Sequence, residues 1–131
     1  RRGHEHLLVV DDEEVIREMV SQALEANGYR VSVCAGGAEA LELFGRDPGA
    51  VDLVLLDRVM PGMDGLRVLE ALRRIRPGVR VVMMTGSADG IETAGGRVET
   101  LRKPFRVSDL CRVIQAALDG GDRRSRESAG A

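Results

Sequence analysis

The stretch LVLLDRVMPGMDG, residues 53–65, decides how the rest of the chain is read. Its first four residues are apolar without polar alternation, so a strand built from them is covered on both faces. The run ends at Asp57, and Pro61, Gly62 and Gly65 follow at once. A strand covered on both faces belongs to a parallel sheet wrapped by helices, and in such sheets function gathers outside the carboxyl ends of the strands. Asp57 stands at such an end, a carboxylate at the rim of the core, where water reaches it but shields it less than in bulk.

Residues 79–84 form a second continuous apolar run, and the two runs are read as central strands. Between them Leu66, Leu69, Leu72 and Ile75 repeat at helical spacing until Pro77-Gly78, with Asp64 as the N-cap. Upstream, residues 6–10 make the first strand. Val15, Ile16, Met19, Val20, Ala23 and Leu24 then share one face of a helix that Asn27-Gly28 stops. Tyr29, Val31 and Val33 alternate with Arg30 and Ser32, the mark of a half-buried strand at a sheet edge, and residues 38–44 follow as a helix. Downstream, residues 98–101 give a weak strand and a second edge candidate. Val107, Leu110, Cys111, Ile114 and Leu118 draw a last amphipathic helix that Gly120-Gly121 ends. Strands alternating with helices predict an α/β domain of five strands and about five helices, with no internal repeat.

The 131 residues suit one compact domain over residues 6–119, with a flank at 1–5 and a polar tail at 120–131 that lacks apolar periodicity and is read as a disordered tail or linker. The start at Arg1 rather than Met fits a segment of something longer. A net charge of −2 and only 2% aromatic residues provide neither a basic field nor stacking surfaces, so direct nucleic-acid binding is not expected. No apolar run approaches the roughly 20 residues a membrane span needs, and residues 1–6 lack the apolar stretch of a secretory signal, so a soluble cytoplasmic domain is expected. Cys34 and Cys111 are read as packed reduced thiols, and His4 and His6 as part of a solvated flank. Arg67, Arg73, Arg74, Arg76 and Arg80 are read as a solvated helix face and turn rather than a docking patch.

The first strand ends in Asp11 and Asp12, the third in Asp57, the fourth in Thr85, and the fifth leads to Lys103. In a parallel sheet these ends are neighbours in space. Three carboxylates brought close repel one another unless a pKa rises or a cation binds. An all-oxygen cluster without Cys or His selects a hard ion, so Mg²⁺ is expected, with Mn²⁺ able to substitute. With charge cancelled at Asp57, its oxygen would attack an electron-poor phosphorus while Lys103 and Thr85 hold the equatorial oxygens. Taken singly, Asp11 or Asp12 reads as a helix cap, Thr85 as a turn residue and Lys103 as a surface lysine. Their coincidence at successive strand ends is what favours a phosphate and metal site.

The segments LLVVDDEE, LVLLDRVMPGMDG, VVMMTG and LRKPF, in this order and spacing, closely resemble the receiver domain of two-component response regulators over about residues 6–119. The resemblance implies a doubly wound, flavodoxin-like five-stranded sheet of order 2-1-3-4-5, and phosphoryl transfer from the phosphohistidine of a histidine kinase or phosphotransfer protein to Asp57. By the same resemblance Asp12 would ligate Mg²⁺ directly, Asp11 would act largely through water, and the Val59 backbone carbonyl would be a further ligand. Lys103 would pair with the phosphoryl oxygens, Thr85 would move to bond one of them, and Lys103-Pro104 would be cis. Val59 and Ser87 would tune the lifetime of the phosphoaspartate, and neither offers an acid or amide to orient water, which implies moderate self-hydrolysis.

Two departures stand out. Receivers usually carry Tyr or Phe where this chain has Thr100, and the segment between Thr85 and Lys103 is short and holds Gly86, Gly90, Gly95 and Gly96. Glycine costs about 1 kcal/mol relative to alanine in a helix interior, so a shortened fourth helix near residues 88–94 and a mobile connection are expected. The short segment before the KPF motif resembles receivers fused to the C-terminus of hybrid sensor histidine kinases, which would place a kinase domain ahead of this segment. The main expectation is a phosphoacceptor signalling domain, not an enzyme beyond autophosphotransfer and self-dephosphorylation. The alternatives are a phosphorylation-independent interaction scaffold and, more remotely, an aspartyl-phosphate phosphatase, for which Arg58-Val59 lacks the second acid.

Overall fold

The computed structural model describes residues 4–130, with side chains to residue 120; Arg1 to Gly3 of the expected flank and Ala131 lie outside the described residues. The elements follow in the order β1 His6–Val10, α1 Glu14–Ala26, β2 Arg30–Cys34, α2 Gly37–Arg46, β3 Leu53–Asp57, α3 Gly65–Ile75, β4 Val81–Thr85, β5 Ile91–Thr93, β6 Gly96–Arg102 and α4 Val107–Gly130, with a 3-10 turn at Pro48–Ala50. One sheet of order β2-β1-β3-β4-β6-β5 joins the strands. Its first five members pair in parallel, which is the doubly wound order the resemblance implied.

Side chains alternate across the sheet and divide the core into two layers. Leu8, Val10, Leu56 and Met83 pack with Phe44 of α2 and Val68, Leu69 and Leu72 of α3. Leu7, Val9, Leu55 and Met84 pack on the opposite face with Val20 and Leu24 of α1 and Leu110 and Ile114 of α4. β1 and β3 are buried on both faces, as their unbroken apolar runs require, whereas the alternating β2 lies at the edge. Each fully buried Leu or Val contributes about 1.5–3 kcal/mol relative to an exposed one, so the register of the central strands is fixed by burial.

α3 begins where its sequence says it should, because the Asp64 carboxylate accepts the Leu66 N–H at 3.0 Å. The region after β4 differs from expectation. No helix forms among residues 86–95; β5 instead pairs antiparallel with β6, with Thr93 opposite Gly96 across a two-residue Ala94-Gly95 loop. Ile91 and Val98 share one face of this hairpin and enter the α2/α3 layer. Gly96, at φ +113°, takes a left-handed backbone at the residue directly after that loop, where a side chain would be strained. Hence β6 is an interior strand, β5 forms the second edge, and four α-helices rather than five are present among the described residues.

Two smaller corrections follow. α4 runs to Gly130, where Gly120-Gly121 was expected to end it; two glycines cost only about 2 kcal/mol in a helix and do not forbid one. His6 belongs to β1 rather than to a solvated flank, and its ring nitrogens lie 2.8 Å from Ser32 Oγ and 3.1 Å from the Ala50 carbonyl. The thiols are free as expected, and burial, helped by the negative charge of Glu39 and opposed by Arg17, pushes Cys34 up to about 11.

Candidate functional site

Register brings the polar strand ends together. β1 and β3 align Val10 with Leu56, so the next residues, Asp11 and Asp57, emerge side by side; β4 and β6 align Thr85 with Arg102, one residue before Lys103. Lys103 N–H donates to the Thr85 carbonyl at 2.7 Å, which carries the strand pairing up to the lysine itself. The peptide that follows, Lys103-Pro104, is cis.

Asp11, Asp12 and Asp57 each offer one carboxylate oxygen within 4.8 Å of the others. Their environments differ sharply. Asp11 is fully buried: its Oδ1 accepts the Glu13 N–H at 2.8 Å and its Oδ2 receives Lys103 Nζ at 2.9 Å. Asp12 is exposed on the wall of the cleft beside Asp57. Asp57 is buried but opens on a cleft of about 550 Å³ whose walls include Asp12, Val59, Thr85 and Lys103. Its Oδ1 accepts the Val59 N–H at 3.4 Å and its Oδ2 lies 3.3 Å from Lys103 Nζ.

The electrostatics follow from this packing. Burial, and then the Asp11 carboxylate beside it, hold Asp57 above the ordinary carboxylate range, opposed by Lys103 and the Val59 N–H. Burial pulls the Lys103 ammonium down, but its bond to Asp11 and the charges of Asp11 and Asp57 outweigh this and leave it raised. The lysine is thus the cation that partly neutralises the carboxylates, and it sits closer to Asp11 than to Asp57. Lys103 was expected to face phosphoryl oxygens, but nothing in the local sequence signals that residues 11 and 103 touch.

Neither aspartate of the first pair caps α1: the N-cap is Glu13, and it makes no side-chain capping bond. Thr85 is buried and its Oγ1 accepts the Ser87 N–H at 3.2 Å, which combines a turn role with a place on the cleft wall. Val59, 77% exposed, leaves its backbone at the cleft mouth. Gly65 makes room for this loop, because a Cβ there would meet the Asp57 carbonyl oxygen and lie 2.8 Å from Arg58 Cα. A contribution the sequence did not announce is Arg17, whose Nη1 donates to the Asp11 carbonyl at 2.8 Å and ties α1 to the site. Thr100, at the usual aromatic position, is half-buried on β6 opposite Met83.

The donor set fits a hard divalent cation: three carboxylates from two strand ends converge, and a single lysine offsets only part of their charge. The carboxylates of Asp11, Asp12 and Asp57 are the groups close enough to one another to share such an ion.

Known proteins resemble this chain in sequence and fold. The family model of the response regulator receiver domain matches residues 7–115. The sensor kinase CckA of Brucella abortus is 34% identical over 124 residues, which cover 92% of this chain and 13% of that protein. Sporulation initiation phosphotransferase F of Bacillus subtilis is 33% identical over 119 residues, 88% of this chain and 94% of that protein. The crystal structure of the receiver domain from the hybrid histidine kinase CckA matches with a TM-score of 0.75 at 31% identity, covering 86% of this chain and 98% of that one. Several curated relatives are much longer, and the chain spans 13%, 34% and 49% of three of them.

Proposed function

Because the chain belongs to the response regulator receiver domain family, we propose that it is a phosphoacceptor signalling domain in which Asp57 takes a phosphoryl group from a phosphohistidine and thereby changes what the domain binds. Receiver domains are regulatory rather than classical enzymes. The observation that carries the reading is Asp57 itself: a carboxylate at a strand end, open to a cleft, beside two further carboxylates and 3.3 Å from a lysine ammonium. The donor is a histidine kinase or phosphotransfer protein, on a separate chain or fused ahead of this segment. Val15, Val59 and Val107, each strongly exposed, stand on the loops and helix starts around Asp57 and offer such a partner apolar contact.

In the transfer, an Asp57 oxygen forms a bond to phosphorus as the donor's N–P bond breaks. The electron pair returns to the imidazole, which takes a proton from solvent. Mg²⁺, held by Asp12, Asp57 and the Val59 carbonyl, would supply charge neutralisation between carboxylate and phosphoryl oxygens, and Mn²⁺ could substitute. Lys103 swings its charge from Asp57 onto the incoming oxygens, and the Thr85 hydroxyl, which accepts from the Ser87 N–H, donates its own proton to one of them. The product carries about −1.5 to −2 charge, enough to bias the loops after β3 and β4.

The test is incubation with Mg²⁺ and a small acyl phosphate, followed by intact mass. One acid-labile phosphoryl group is expected on the native chain and none on Asp57→Asn; an unmodified native chain at millimolar Mg²⁺ overturns the reading. A second reading, a phosphorylation-independent scaffold, draws on Thr100 and on the hairpin that replaces the fourth helix. It requires partner affinity to be the same with and without beryllofluoride.

A further inference from the structure

At the other end of the sheet a second cleft, of about 450 Å³, opens at the amino ends of β4 and β6. It lies four residues along β4 from Thr85, or about 13 Å at the usual strand rise. Arg73 of α3, Arg76 just after it, Arg80 before β4 and Arg97 of β6 line it, against one acid, Glu99. Three of these arginines were read from sequence as a solvated face. The tertiary structure instead gathers them around one concavity, and adds Arg97 from a hairpin that stands where a helix was expected.

The guanidinium groups are positioned rather than merely nearby. Arg76 Nη1 donates to the carbonyls of Pro48 and Val51 at 3.0 and 2.6 Å. Arg73 Nη1 donates to the Thr93 hydroxyl at 2.6 Å, and that hydroxyl donates onward to the Gly96 carbonyl, so α3 is tied to the hairpin turn. These acceptors are neutral, so they orient the two charges without cancelling them. Arg73 lies flat over Gly95, where a Cβ would come 2.7 Å from its Nη1, and Arg97 lies over Gly90 in the same way. Arg97 pairs with Glu92 at 2.9 Å, but both are about two-thirds exposed, and a surface pair of this kind exchanges partners at little cost. On the remaining wall α4 presents Ala116 and Ala117, which leave the space open.

We propose that this cleft binds a compact anion carrying two or more phosphate groups, at a site separate from the phosphoacceptor aspartate. Guanidinium forks match phosphate oxygens in pairs, and a concavity lined by four arginines suits a ligand with several charged oxygens better than a single carboxylate. The volume falls in the range of small-molecule sites. The alanine wall gives a nucleoside somewhere to lie, so an inorganic and a nucleoside-linked diphosphate share the chemistry and are separated by experiment.

The whole chain, in EDTA and about 0.1 M salt, is titrated calorimetrically with pyrophosphate and, separately, with ADP. Saturable one-to-one binding is expected, weakened about tenfold by Arg73→Gln or Arg97→Gln. Arg67→Gln, an exposed α3 position outside the cleft, and Asp57→Asn should leave it unchanged. ADP binding tighter than pyrophosphate identifies a nucleoside-linked ligand; equal or weaker binding identifies the inorganic one. Should Arg73→Gln melt early because it frees the hairpin turn, the exposed Arg97→Gln decides. The proposal is overturned by absence of saturable binding, by equal weakening in Arg67→Gln, or by loss of binding in Asp57→Asn.

Discussion

Replacing Lys103 by Gln removes the ammonium that lies 2.9 Å from Asp11 and 3.3 Å from Asp57. At an effective dielectric of about 20, unit charges at these distances attract by about 6 and about 5 kcal/mol. Desolvation of the ammonium offsets much of this, and the Lys103 side chain, at 24% exposed, keeps some water. Breaking a fully buried pair typically costs about 3–5 kcal/mol, so about 2–3 kcal/mol is expected for this partly wetted one. For a domain of this size that corresponds to a fall in Tm of roughly 6–12 °C. Since the folded state raises the Lys103 pKa, the contribution is fully present below its unfolded value of 10.5 and is lost as pH rises through the folded value. The deficit therefore holds at neutral pH and closes only in strong alkali. Urea unfolding followed by far-UV circular dichroism in EDTA measures it. Mg²⁺ should stabilise Lys103→Gln more than the native chain, because no ammonium then competes for the carboxylates; about 2.7 kcal/mol is gained at a hundredfold excess over Kd. Adding Asp11→Asn to Lys103→Gln should recover most of the loss. The reasoning fails if Lys103→Gln unfolds within about 0.5 kcal/mol of the native chain, or if the Asp11 change brings no recovery.

Asp57→Asn should stabilise the metal-free domain at pH 7. The folded state raises the Asp57 pKa above its unfolded 3.8, so the native form keeps its proton longer and stability falls as pH rises from the unfolded value through the folded one. Denaturation midpoints in EDTA from acid to neutral pH should show this decline in the native chain and a smaller one in the variant. Gly65→Ala forces a Cβ against the Asp57–Arg58 backbone and should cost about 1–3 kcal/mol, read as a lower Tm, with slower phosphorylation by acyl phosphate. Leu56→Ala, in the fully buried centre of β3, should cost about 2–5 kcal/mol by urea titration.

The elements legible in the sequence are those whose partners do not need to be known. An unbroken apolar run such as that of β3 reports burial on both faces, and the 3.6-residue spacing of Leu69 and Leu72 reports one buried helix face, wherever the rest of the chain lies. The hairpin was missed because its four glycines were read only as helix breakers. Its signal was present in Ile91 and Thr93 alternating with Glu92, and Val98 and Thr100 with Glu99, on either side of Ala94-Gly95, a period of two around a tight turn.

The candidate site divides in the same way. Sequence alone determined which polar residues end the strands, because the change from apolar run to carboxylate is a local event at Asp11 and Asp57. Only the tertiary structure decided that Asp11 is sealed while Asp12 is open, that Lys103 reaches across 92 positions of chain to Asp11 before Asp57, and that four arginines share one cleft. Burial and long-range charge pairing depend on how strands register and which element covers them, and those are settled jointly by the whole core rather than by any window of neighbouring residues.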